Sequence, residues 1–105
     1  MQIDFTTDGA ELSDTMREQV ERRLRFHLTR YAAQVRKLEI QFGGDTASSN
    51  HNRRVRVRVR LNKGPDVVVE DVEPDLDVAV DRAIGRAARS VGRRLSSSHQ
   101  FRAAG

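Results

Sequence analysis

The residues best equipped for chemistry in this 105-residue chain are arginines. They make up 17 of its 19 basic residues, Lys37 and Lys63 being the others. A guanidinium offers a flat fork of donors that suits phosphates and base edges. Arg54, Arg56, Arg58 and Arg60 recur at period 2, which puts them on one face of a strand at roughly 6.6 Å intervals, near the phosphate repeat of a nucleic-acid strand. Arg82, Arg86, Arg89 and Arg93 recur at helical spacing and fall within roughly 60° of one another, opposite an apolar face. Both rows point to a polyanion. The plain alternative for each is a solvated face, with Glu39 offsetting part of the strand row and the helix macrodipole favouring cations near its C-terminus. Residues 66–81 carry seven acids and no base, whereas 82–105 carry no acid. Charge is therefore segregated along the chain, and the net charge of +4 is expected to understate the local fields.

Other chemistries find little support. With no cysteine, thiol catalysis, disulfides and Cys-ligated metals are excluded. His27, His51 and His99 lack metal-ligand spacing, and His27 is expected at the edge of a helix core. Asp75, Asp77 and Asp81 could hold a cation, but a helix start accounts for them. There is no Gly-rich phosphate loop and no nucleophile elbow. The expectation is a non-enzymatic protein with no cofactor, no metal and no small-molecule substrate. Aromatic residues are 5% of the chain. Phe5, Tyr31 and Phe42 read as core. Phe26 lies off the apolar face of its helix, either as a base-stacking platform or, the favoured reading, covered by the tail near Phe101. Such a chain suits folded RNA read through phosphates and shape better than a single strand. No apolar run spans a membrane and no signal peptide is visible, so a cytoplasmic location is expected.

The elements that must hold the rows follow from periodicity. Gln2–Thr6 alternates as a strand, and Asp8-Gly9 gives a turn. Ser13 is an N-cap for a helix to about Ala32 with Met16, Val20, Leu24, Leu28 and Tyr31 inward. Val35–Phe42 and Arg54–Leu61 are half-buried strands separated by the polar loop Gly43–Asn52. Asn62-Lys63-Gly64-Pro65-Asp66 is a hairpin turn before a strand over Val67–Val72. Pro74 and Asp75 open a second helix, ended near Leu95 by Ser96-Ser97-Ser98. Gly85 and Gly92 are placed on its outer side and Arg94 at a fraying end. The order β-α-β-β-β-α predicts an α+β, two-layer sandwich: a four-stranded sheet with both helices on one face. Residues 1–95 form the domain and 96–105 a short flexible tail.

These patterns resemble the ribosome hibernation promoting factor / ribosome-associated inhibitor family, which includes the proteins once named sigma modulation proteins. The resemblance covers about residues 1–95. It rests on Met1-Gln2-Ile3, on Leu12-Ser13-Asp14 running into Met16-Arg17-Glu18-Gln19-Val20, on the closing helix Asp75-Leu76-Asp77-Val78-Ala79-Val80-Asp81 with its basic second half, and on the element order. The resemblance implies docking on the small ribosomal subunit and its RNA, between head and body where tRNA and mRNA bind, with translation silenced in stationary phase or stress. By similarity Arg82, Arg86, Arg89 and Arg93 contact RNA phosphates and the sheet arginines assist; the free protein is expected to be a monomer. Asp77 stands where the family often has an aromatic, the closing helix is Arg-rich rather than Lys-rich, and the Gly43–Asn52 loop is long. The C-terminal dimerising domain of long members is not in this sequence, so ribosome dimerisation by the chain alone is not expected. Two other readings remain: a binder of another structured RNA, or a protein-interaction module pairing its acidic segment 66–81 and its basic rows with a partner or a second copy.

Overall fold

A computed structural model describes residues 2–8, 12–44 and 52–104, with side chains described within 2–7, 12–44 and 52–96. Gly9 of the first expected turn, the middle of the Gly43–Asn52 loop with His51, and the side chains of His99 and Phe101 lie outside these. The elements are β1 (Gln2–Asp8), α1 (Asp14–Leu28) with a 3-10 turn at Thr29–Tyr31, β2 (Val35–Gly44), β3 (Arg53–Leu61), β4 (Val67–Glu73) and α2 (Leu76–Ala104). The sheet order is β1-β2-β3-β4; β1 runs parallel to β2, and the other pairs are antiparallel. The expected α+β sandwich is the observed one.

Strict alternation drives this arrangement. Leu38, Ile40 and Phe42 of β2, Val55, Val57, Val59 and Leu61 of β3, and Val67 and Val69 of β4 are all buried on one face. Val20, Leu24 and Leu28 of α1 and Val80, Ala83, Ile84, Ala87 and Val91 of α2 cover that face. Phe5 stacks on Phe42 with centroids 6.4 Å apart and planes within 2°. Each large side chain buried in this way contributes on the order of 1.5–3 kcal/mol. Even β4, whose run of valines hid its period, alternates once folded: Val68 and Val72 are exposed, while Asp71 and Glu73 continue the inward parity of Val67 and Val69 to the rim.

Local signals set most boundaries. The Ser13 hydroxyl accepts from the Met16 amide at 3.1 Å, capping α1. Asp75 caps α2 by accepting from the Asp77 amide at 2.9 Å. Gly64 takes φ +88° in the β3–β4 turn, a backbone region natural to glycine. The far end of α2 corrects the expectation: the helix does not stop at Ser96 but continues to Ala104. Serine lowers helix propensity by only a few tenths of a kcal/mol, and no Gly or Pro intervenes before Gly105.

The helices run side by side in the same direction. Arg23 of α1 lies 3.1 Å from Asp81 and 3.8 Å from Asp77, and Tyr31 meets Gly92 further along. A Cβ on Gly92 would sit 2.5 Å from the Tyr31 hydroxyl, so this glycine faces the other helix rather than the outside. Arg94 is likewise no fraying residue, since its guanidinium donates to the Pro65 carbonyl in the β3–β4 turn. Among the described residues no helix is long and apolar enough to cross a membrane.

Candidate nucleic-acid interface

The two arginine rows form as expected but on opposite sides of the sandwich. Arg54, Arg56, Arg58 and Arg60 point from β3 into the open sheet face, while the α2 row lies on the side of that helix turned from the core. No single flat surface touches both.

The acidic block that looked segregated in the sequence folds back onto the bases. On the sheet, register places Glu39 of β2 opposite Arg58 and Lys37 opposite Arg60. Glu39 lies 3.8 Å from Arg58 and 3.4 Å from Arg60; Asp66 reaches the same two at 3.7 and 4.0 Å. Glu70 lies 3.8 Å from Arg54. Lys37 adds a bond of 2.7 Å to Asp4, and this donated bond holds the Asp4 carboxyl below its ordinary pKa. Among the described residues no carboxylate pairs with Arg56. It borders an open depression of about 250 Å³ whose walls include Thr6, Gln41, Arg58 and Asp4.

The helix row divides in the same way. Arg82 lies 3.3 Å from Glu73, and Arg86 lies 3.4 Å from Asp71 and donates to the Glu70 carbonyl at 3.1 Å. The inward parity of β4 brings both acids to the rim beneath the first turns of α2, where Asp71 is only 13% exposed. Arg89 and Arg93 lie beyond the reach of β4. No described carboxylate pairs with them, and Arg93 has only the Ser90 hydroxyl at 3.4 Å. Within the two rows, the described cations left open are therefore Arg56 on one face and Arg89 and Arg93 on the other. The expectation that the net charge understates the local fields holds for those positions and fails for the paired ones. A pair exposed on both sides, such as Arg54–Glu70, is worth about 0.2–1 kcal/mol, so a phosphate can compete for it.

Two further residues depart from expectation. Phe26 is not covered; it is 82% exposed, with His27 packed edge-on at 5.3 Å. His27 is exposed rather than at the core edge. Asp77 and Asp81 answer Arg23, whose Nη1 is buried without an in-line hydrogen bond, so charge attraction holds it. Among the described residues no cluster of His, Asp or Glu has the arrangement of a metal site. Nothing in the local sequence marks Arg23 as the bridge between the helices: its partners stand more than fifty positions away and only the fold joins them.

The chain is similar in structure to the N-terminal domain of protein Y from Thermus thermophilus, with a TM-score of 0.74 and 28% identity over 89% of this chain and 98% of that one. It also shares its fold with a ribosomal subunit interface protein from Coxiella burnetii, with a TM-score of 0.76 and 19% identity over 91% of this chain and 99% of that one. No curated protein matches it in sequence. The pattern of the family described as Sigma 54 modulation protein / S30EA ribosomal protein matches residues 3–97, nearly the whole sandwich with its capped helices and both arginine rows, and the chain belongs to that family, whose members are non-enzymatic.

Proposed function

We propose that this protein binds the small ribosomal subunit in the cytoplasm, docks on its RNA in the tRNA/mRNA channel, and blocks translation under stress or in stationary phase. The observation that carries this reading is the placement of open arginines on both faces of a thin sandwich, Arg56 on the sheet and Arg89 and Arg93 on α2. Cations on opposite faces suit a cleft with two phosphate-bearing walls better than one exposed duplex. The family and the name of the Coxiella relative supply the ribosome as the partner. The third reading, in which the acids of 66–81 engage another molecule, loses ground because Asp66, Glu70, Asp71, Glu73, Asp77 and Asp81 already answer arginines of the same chain.

Of the expected contacts, Arg89, Arg93 and Arg56 bind phosphate outright. Arg54, Arg58, Arg60, Arg82 and Arg86 do so by exchanging a carboxylate for a phosphate. Residues 1–95 form the binding unit, and the free protein is a monomer. Sedimentation with small subunits at graded salt tests the reading. The expected result is binding that weakens steeply with salt, by about 10³ between 50 and 200 mM for six phosphate contacts as on duplex DNA. Absence of binding at low salt would overturn it.

A further inference from the structure

The outer face of α1 carries a second feature that phosphate docking does not use. Phe26 is 82% exposed, far more than the next exposed apolar side chains, Val72 at 45% and Val68 at 43%. It points away from the Val20–Leu24–Leu28 stripe, so its exposure is a property of the fold rather than a gap in the core. An isolated phenylalanine in water forgoes the stabilisation that burial of its ring would give.

Its surroundings favour one kind of partner. Arg22 lies one helical turn before Phe26, with Gln19 a further turn back on the same side, and Arg30 follows in the 3-10 turn with its guanidinium 5.6 Å above the Tyr31 ring. Of the nearby acids, Glu21 is drawn aside to Arg25 at 2.9 Å, and Glu18 forms no ion pair among the described residues. His27 packs edge-on against Phe26, with centroids 5.3 Å apart and planes at 89°. An exposed ring beside an open guanidinium is the pairing that holds an unstacked nucleotide, the ring taking the base and the cation its phosphate. A hydrophobic protein partner would want further apolar neighbours, and among the described residues this face has no other exposed large apolar side chain.

We infer that Phe26 is a stacking platform for an unpaired base of the bound RNA, with Arg22 holding the adjoining phosphate. This rests on the docking reading above and adds to it a contact read through a base. Phe26 and the Arg89–Arg93 pair occupy the outward sides of neighbouring helices, so one RNA surface can meet both.

The test titrates the full chain against purified small subunits, with Phe26→Ala, Phe26→Tyr and the double variant Arg89→Glu/Arg93→Glu in parallel. Ultraviolet crosslinking of the complexes is mapped by mass spectrometry. The expected result is roughly 5- to 100-fold weaker binding by Phe26→Ala, from the usual worth of one stacked base, near-complete retention by Phe26→Tyr, and a nucleotide crosslinked to the peptide holding Phe26. Because the side chain is exposed, Phe26→Ala should melt with the parent chain, so the loss cannot be charged to unfolding. If Phe26→Ala binds as the parent does while the arginine variant fails, the stacking inference is overturned and docking stands. A crosslink to a ribosomal protein, or to a second copy of the chain, overturns it in favour of a protein partner. If the parent chain does not bind subunits at all, both readings fall together.

Discussion

The arginine row of β3 and that of α2 are equals in the sequence and unequal in the fold. The β3 row lies between two strands, and both β2 and the β4 side of the hairpin bring carboxylates to it; only Arg56 stays open. The α2 row has one acidic neighbour, β4, which reaches only Arg82 and Arg86. The helix outruns the strand, and Arg89 and Arg93 escape. Charge density along a chain therefore does not give the field at its surface; the length and register of the adjoining element do.

The comparison breaks most readily at the open end of α2. Replacing Arg89 and Arg93 with Glu should weaken binding to small subunits by two orders of magnitude or more and lower the salt slope by about one for each phosphate no longer engaged. The same reversal at Arg58 and Arg60 should cost less, because those guanidiniums are already paired; equal losses in a filter-binding assay would erase the distinction between the rows. Releasing paired arginines gives a smaller effect of opposite sign. Asp71→Asn with Glu73→Gln should tighten binding several-fold by freeing Arg86 and Arg82, at a stability cost read from urea melts.

Two still smaller effects sharpen the contrast. Gly85→Ala removes a glycine from the middle of α2, and its new Cβ would meet Arg89 Nη1 at an ordinary 3.5 Å. It should stabilise the fold by about 1 kcal/mol, and unchanged ribosome binding would show that no phosphate backbone needs the space. On the sheet, the lowered pKa of Asp4 makes the Lys37 bond a stabilising contribution that is complete above the ordinary carboxylate pKa. It is lost as pH falls through the lower, folded value. The small stability difference between the parent and Asp4→Asn should therefore vanish on acidification; a difference that persists in strong acid would assign it to another cause.

What is legible in the sequence is whatever depends on neighbours along the chain. Period 2 places β2 and β3, Ser13 and Asp75 mark the helix starts, and Gly64 marks the turn. The spacing of both rows is legible as well, and so is the family. Apart from Glu39 beside the strand row, the charge pairing is not, because Arg86–Asp71 and Arg23–Asp81 depend on which strand a helix crosses and at what height. The end of α2 escapes a local reading because serines discourage a helix without breaking one. The exposure of Phe26 escapes it because covering that ring would require a returning tail, and α2 instead runs straight on.

The carboxylates folded over the arginines also bear on how the protein chooses among polyanions. Each internal acid is a competitor tethered at high effective concentration, and a loose RNA strand must displace it one phosphate at a time. A rigid RNA cleft presents its phosphates together and displaces several acids in one event. On the docking proposed above, Asp71 and Glu73 set a threshold for incidental RNA, and selectivity arises from an affinity that the molecule partly withholds from every partner.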